Sequence, residues 1–387
     1  MKIVGVQAVR VKLPMPSPSA PPRRPSWAEM AEVANPMSRY PRFKPHRKLW
    51  LPRWETVWCQ VTAEDGTFGL GMTAHGHPVA AVINNHLAPL LVGEDALATE
   101  KLWDMMVRAT KPYGSWGLAA YAISAVDLAL WDLKGKLLGK PVYALLGGPQ
   151  KERIFCYATG NDTDWHMELG FRATKLACPY GPVDGERGLA ENERLVASTR
   201  ELVGDEVEVM LDCWMALDVD YTVRLAERLR PYRLRWLEEC LPPEDWDGHR
   251  ALRERLAWQP LATGEHWYLL EPFAFACRDR VVDILQPDIC WCGGLTACWK
   301  IAALAQAAGL TVILHAGGNT PFGQHFTFAS PVAPWCEFFI GSAPGVPLAE
   351  ATPLASVGMA VPQNGWLVPT DAPGFGLEVR PEWLEPF

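Results

Sequence analysis

Apolar and polar positions alternate with period two through MKIVGVQAVRVKL at the start of the chain, which predicts a strand over residues 1–14. Two more strands are predicted within 53–73, folded about the turn Glu64-Asp65-Gly66. Helical spacing follows over 78–92, 97–110 and 116–138, with Gly139 and Pro141 as stop signals for the last. Two stretches fit neither period. Residues 14–26, PMPSPSAPPRRPS, hold too much proline for a regular element and read as a mobile loop. Residues 35–52 are irregular and carry Arg39, Arg42, His46 and Arg47.

The pattern changes near residue 153. Short apolar runs now alternate with helical stretches: RIFCYATG, RATKLAC, VEVMLD, LRWLE, PLATGE, VDILQPD, TVILH and CEFFIG. Helices are expected between them at 189–203, 219–230, 246–256, 269–279 and 294–308. This is the rhythm of successive strand–helix units and predicts a parallel β/α barrel. After about residue 345 the rhythm stops and proline and glycine return. Three parts follow: an α+β domain at 1–140, a barrel at 141–345, and a segment at 346–387 that packs back on the first domain.

Five of the apolar runs end on an ionisable residue: Asp212, Glu238, Glu265, Asp288 and His315, at gaps of 26, 27, 23 and 27 residues. In a parallel barrel all strand ends meet on one face, which holds the active site. Three carboxylates converging there repel one another unless a cation joins them. All-oxygen ligands favour Mg²⁺, with Mn²⁺ as the alternative, over zinc. Spacing alone does not choose between Glu238 and Glu239, although alternation points Glu239 away from the bowl. Asp288 and His315 close neighbouring strands, where an aspartate bonded to one imidazole nitrogen leaves the other to take a proton. His266 follows Glu265 and either touches substrate or packs. His75 and His77 form an H-x-H that reads as loop histidines, and His325 carries no assignment.

Composition narrows the partners. The 387 residues are 49% hydrophobic and 21% charged, with a net charge of −8. No nucleic-acid or membrane-surface partner is expected of such a chain. The N-terminal run lacks the charged lead and apolar centre of a signal peptide, and LAAYAISAVDLALWDL is interrupted by Asp127 and Asp132, so a cytoplasmic protein is expected. The ten cysteines include no C-x-x-C and read as small buried hydrophobes.

Longer strings carry a resemblance. AISAVDLALWDLKGKLLGKPVYALLGG (122–148), MLDCWMALDVDY (210–221), WLEECLPP (236–243), TGEH (263–266), DILQPDICWCGGLT (283–296) and ILHAGG (313–318) resemble the enolase superfamily, in its mandelate racemase-like branch. Within that branch they look most like the L-rhamnonate dehydratases. The resemblance implies a modified (β/α)7β TIM-like barrel with an α+β N-terminal capping domain, a lid, completed by the C-terminal tail. It implies Mg²⁺ on Asp212, Glu238 and Glu265, a catalytic pair of His315 and Asp288, and substrate contacts from Arg47, Glu337, His266 and Lys175. It also implies a homo-oligomer, an octamer or another dimer-based assembly.

Two departures from the family pattern are informative. Many relatives carry Lys-x-Lys at the second barrel strand, the second lysine acting as a base on the far face. Here the segment is Lys175-Leu176-Ala177, so one base remains, and a one-sided site suits elimination over inversion of a stereocentre. The expected reaction is dehydration of a sugar acid, L-rhamnonate or a close relative, to its 2-keto-3-deoxy acid. His315 removes the α-proton, an enediolate forms, and the β-hydroxyl leaves on the same face. The alternatives are a dehydratase for a diacid sugar or tartrate, or an inactive acid-binding relative. The second departure is in the first lid loop: PSAPPRRPSW holds no histidine where those dehydratases have one, which makes Arg23 and Arg24 candidates to meet the substrate instead.

Overall fold

A computed structural model describes residues 1–14, 18–30 and 32–387; residues 15–17, within the proline-rich loop, and residue 31 lie outside the description. The strands, in chain order, are β1 (Ile3–Val11), β2 (Val57–Ala63), β3 (Phe68–Thr73), β4 (Ile154–Thr159), β5 (Ala173–Ala177), β6 (Glu208–Asp212), β7 (Leu237–Glu238), β8 (Leu261–Thr263), β9 (Ile284–Leu285), β10 (Thr311–Val312), β11 (Trp335–Phe339), β12 (Trp366–Leu367) and β13 (Leu384–Pro386).

The lid sheet is antiparallel, in the order β13-β1-β2-β3. The helix Leu118–Leu138 lies on it so closely that a Cβ on Gly69 or Gly71 would run into the backbone carbonyls of Ala129 and Ala125. The alternating glycines of FGLGMT are therefore a packing requirement. The two acids that interrupt this helix's apolar run are structural. Asp132 accepts from the backbone N–H of Leu70 and Phe375 (both 2.9 Å) and from Lys136 Nζ (2.6 Å), which ties sheet, helix and tail together. Asp127 accepts from the N–H (2.9 Å) and hydroxyl (2.6 Å) of Thr296, at the head of the barrel helix Gly294–Ala308. Each buried acid thus has the hydrogen-bond partners that burial demands.

The barrel strands run parallel in the order β10-β9-β8-β7-β6-β5-β4-β11. Between β10 and β11 the ring is closed by side chains. Asn319, beyond β10, exchanges two hydrogen bonds with the backbone of Phe339 (3.0 and 2.7 Å), and the Ala316 N–H donates to Glu337 (2.8 Å). The tail serves both parts: β12 pairs antiparallel with β4, and β13 with β1. The five expected barrel helices are present. Two further ones, Thr163–Glu168 and Pro321–Ala329, were not anticipated: the first is short, and the second is buried on every face and so shows no periodic stripe. All ten cysteines are free thiols, nine of them buried. Among the described residues, no helix is long and apolar enough to cross a membrane.

Candidate active site

Side-chain parity builds the site. The barrel floor is an apolar plug of Tyr157, Ala173, Met210, Trp236, Ala262, Ile284 and Ile313, with Trp335 packed against it. Two residues further along each strand the chain again faces inward, and there stand Thr159, Lys175, Asp212, Glu238, Gly264, Gln286, His315 and Glu337. One step of alternation thus separates a dry floor from a layer dense in charge. Asp212 and Glu238 are the last residues of their strands, whereas Glu265, Asp288 and His315 lie two or three residues beyond theirs.

Asp212, Glu238 and Glu265 come together with carboxylate oxygens within 4.8 Å of one another. Glu238 is the most constrained. Its Oε2 accepts from Trp236 Nε1 (2.9 Å) and Gln286 Nε2 (2.7 Å), and its Oε1 from Lys175. Burial raises the Glu238 carboxyl; Lys175 opposes and Asp212 and Glu337 add to the rise, leaving it at about 7. Asp212 is raised too, by burial first, with Lys175 opposing. Hard oxygen donors, buried and crowded by like charge, suit a divalent cation such as Mg²⁺.

Lys175 is fully buried and contacts Asp212 (3.6 Å), Glu238 and Glu337 (2.9 Å). Burial lowers its pKa, but Glu238 and Glu337 outweigh that and hold it well above the ordinary lysine value. Glu337 accepts from Lys175, from Thr159 Oγ1 (2.6 Å) and from the Ala316 N–H (2.8 Å). Burial would raise its carboxyl, yet Lys175 and His315 pull it down to about 2. All three of these contacts are donors to its carboxylate oxygens.

His315 Nδ1 lies 2.7 Å from Asp288 Oδ2, while Nε2 faces Glu265 Oε2 at 3.5 Å. Asp288 is fixed in turn by the Cys290 N–H on Oδ1 (2.7 Å). Burial lowers the imidazole pKa, but Glu265 and Asp288 more than offset it, so the ring is held well above its usual value. Trp291 packs on the ring, with centroids 4.9 Å apart.

Alternation fails at Glu239. Its φ of 46° turns the chain, and the carboxylate enters the site rim instead of pointing away, bonding His266 Nδ1 at 2.6 Å. Trp214, after Asp212, and Ala316, after His315, also have positive φ, so the backbone departs from strand geometry beside three of the site residues. His266, 3.5 Å from Glu265, thus belongs to the rim and has an acid of its own. Arg47 stacks its guanidinium 4.4 Å above the ring of Trp214, which brings the lid to the bowl. Arg23 and Arg24 do not offer free charges: Arg23 pairs with Glu168 (2.6 Å), and Arg24 with Asp162 and Asp164 (2.6 Å to Asp164). These acids flank the first barrel loop and tie the irregular lid loop down. His75 packs between Trp54 and Tyr121, His77 against Phe387, and His325 is buried near the Tyr143 N–H. The contributions of Gln286, Thr159 and Glu239 were missed from sequence; counting two residues on from each apolar floor position would have found the first two.

Comparison with known proteins identifies the family. Residues 52–147 match the N-terminal domain model of mandelate racemase/muconate lactonizing enzymes, and residues 163–383 match the enolase C-terminal domain-like model. The chain belongs to the mandelate racemase/muconate lactonizing enzyme family of the enolase superfamily. An L-rhamnonate dehydratase of Saccharopolyspora erythraea is 41% identical over 355 residues, 90% of each chain. A crystal structure of rhamnonate dehydratase from Gibberella zeae complexed with Mg superposes with a TM-score of 0.91 at 34% identity, covering 100% of this chain and 96% of that one. A racemase from Streptomyces coelicolor A3(2) with bound magnesium superposes at 0.78 with 26% identity, covering 97% of each chain. The fold is thus shared by proteins named for different reactions, and the choice among reactions rests on the site.

Proposed function

We propose that this protein is a Mg²⁺-dependent hydro-lyase that dehydrates a sugar acid of the L-rhamnonate type to a 2-keto-3-deoxy acid. The observation that carries the reading is the pairing of His315 with Asp288 beside a nest of three carboxylates, with Ala177 where a second base would stand. Asp212, Glu238 and Glu265 would hold the cation, which when bound would supply Lewis-acid charge to offset that of the substrate acid as it loses its α-proton.

The side chains account for the remainder. Asp288 fixes the tautomer with the proton on Nδ1, leaving Nε2 to remove the α-proton. The enediolate that results lies near Lys175, whose ammonium is kept charged by Glu337 and is placed to hydrogen-bond a carboxylate oxygen. His315, now protonated on Nε2, gives that proton to the β-hydroxyl, which leaves as water on the same face, and the resulting 2,3-enol tautomerises to the 2-keto-3-deoxy acid. Ala177 carries no proton-transfer group, so that position cannot reprotonate the α-carbon from the opposite face. Arg47, on the lid, meets the hydroxylated part of the chain. The 41% identity to a named L-rhamnonate dehydratase supports the same substrate class.

The test is incubation of the purified protein and Mg²⁺ with a panel of aldonates and aldarates, with 2-keto acid detected as the semicarbazone. Turnover of L-rhamnonate or a close aldonate is expected. Turnover of tartrate or an aldarate alone would shift the reading to a diacid dehydratase, and no turnover of any acid would overturn it.

A further inference from the structure

Above the charged layer the bowl becomes aromatic. The next inward positions include Trp214 and Phe339, and Trp291 lies over His315. The lid adds rings to each: Trp50 to Trp214 (6.1 Å), Tyr121 to Trp291 (5.7 Å) and Trp27 to Phe339 (6.5 Å). One corner differs from the others. Phe339 follows Glu337 by one step of alternation on β11, so it faces into the bowl, yet it is 37% exposed. An open phenyl face in a bowl is a surface for a ligand's apolar part.

Trp27 stands at 61° to that ring and is held in place. Its backbone N–H donates to Asp162 Oδ2 (2.9 Å), the acid that also takes Arg24, and its indole lies against Gly160, where a Cβ would collide with the ring. The corner is thus built in advance, and the arginines of the same loop are committed: Arg23 and Arg24 are paired with barrel acids.

Resting on the function proposed above, we infer that the Trp27–Phe339 corner receives the end of the sugar acid remote from its carboxylate, and that it selects a methyl terminus. A substrate held by its carboxylate at the charged layer, with its α-carbon at His315, extends upward toward the mouth. An apolar corner favours a terminal CH3 over CH2OH and strongly disfavours a second carboxylate, which would lose its hydration where the neighbouring Arg24 is already paired with Asp162 and Asp164. The corner is therefore the element that separates a deoxy-aldonate dehydratase from a diacid dehydratase on the same catalytic floor.

The experiment compares kcat/KM for three acids that differ only at the sixth carbon: L-rhamnonate (CH3), L-mannonate (CH2OH) and L-mannarate (COO⁻). For the wild type the expected preference for the first over the second is about tenfold, and over the third about 100-fold or more. Phe339→Ser and Trp27→Ala should each compress the CH3/CH2OH ratio to about twofold, whereas Phe339→Leu, which keeps an apolar face, should retain it. A flat ratio in the wild type overturns the inference, as does an equal loss on both acids in the Ser and Ala variants. Either result leaves the dehydratase reading standing. A wild type that dehydrates none of the three acids overturns that reading, and the inference with it.

Discussion

Replacing Asp288 with asparagine isolates what the carboxylate does for His315. The change is nearly isosteric, and the asparagine Oδ1 can keep the 2.7 Å bond from the Cys290 N–H, so the loop should hold its shape. Two things are lost. The first is charge: with charge centres ~4 Å apart and an effective dielectric of ~20, the aspartate favours the imidazolium by roughly 4 kcal/mol, about a thousandfold in proton affinity. The second is the tautomer. Asparagine can present an N–H to Nδ1, which makes that nitrogen the acceptor and moves the ring proton to Nε2, where a base needs a lone pair. Together these predict a fall in kcat of about 10³- to 10⁴-fold with little change in melting temperature. Turnover is read as 2-keto acid formation, and α-proton removal separately as exchange of the C2 hydrogen in D2O. A variant that keeps more than about a tenth of either rate would refute the assignment of His315–Asp288 as the proton-transferring pair.

Lys175→Met should destabilise the protein by about 3–5 kcal/mol in chelator, because three buried carboxylates lose their common partner; urea melts check this, and an unchanged midpoint would be the contrary result. Saturating Mg²⁺ at about 100 times Kd should stabilise the wild type by about 2.7 kcal/mol, and an Asp212→Ala/Glu265→Ala variant should show no such gain in the same melts. His166 and His325 are buried with pKa values lowered to about 3, first by desolvation. Below the ordinary value of 6.5 the unfolded chain binds the protons that the fold refuses, so stability is full above pH 6.5 and falls as pH drops toward 3. At pH 5 each should cost about 2 kcal/mol relative to pH 7.5, measurable as a lower urea midpoint that His325→Gln partly removes. Gly71→Ala should cost several kcal/mol by forcing the helix Leu118–Leu138 off the lid sheet, seen as a lower melting temperature.

Much of the site was legible because a barrel converts alternation into depth. Asp212, Glu238, Lys175 and Glu337 all lie two residues beyond a floor residue, and the even spacing of the strand–helix units repeats that geometry around the ring. What escaped was set by backbone beyond the strands. Glu239 enters the rim only because its φ is positive, a choice made by the hydrogen bonds of its N–H to the Ala262 carbonyl and of the Met215 N–H to its own carbonyl. The partners of Arg23 and Arg24 were equally hidden, since Asp162, Asp164 and Glu168 lie about 140 residues away and meet them only when the lid is seated. The buried acids Asp127 and Asp132 were visible as breaks in an apolar run, but their partners, Thr296 and Phe375, come from other parts of the chain.

The internal cations bear on what metal does for this protein. Lys175 touches Asp212, Glu238 and Glu337, and Glu265 has a histidine 3.5 Å away on each side, His315 on Oε2 and His266 on Oε1. Each carboxylate of the bowl therefore has a positive partner within the protein. Such a site differs from small metal-folded domains, in which ligands have no other reason to approach one another. The apolar floor beneath is complete without any ion, and the strands that carry the ligands are paired along their whole ring up to the β10–β11 seam. Chelation should therefore abolish turnover while leaving the far-ultraviolet circular dichroism unchanged, with activity restored on adding Mg²⁺. Loss of secondary structure in chelator would show instead that the carboxylates depend on the ion to coexist, and that Lys175 and the two histidines do not balance them.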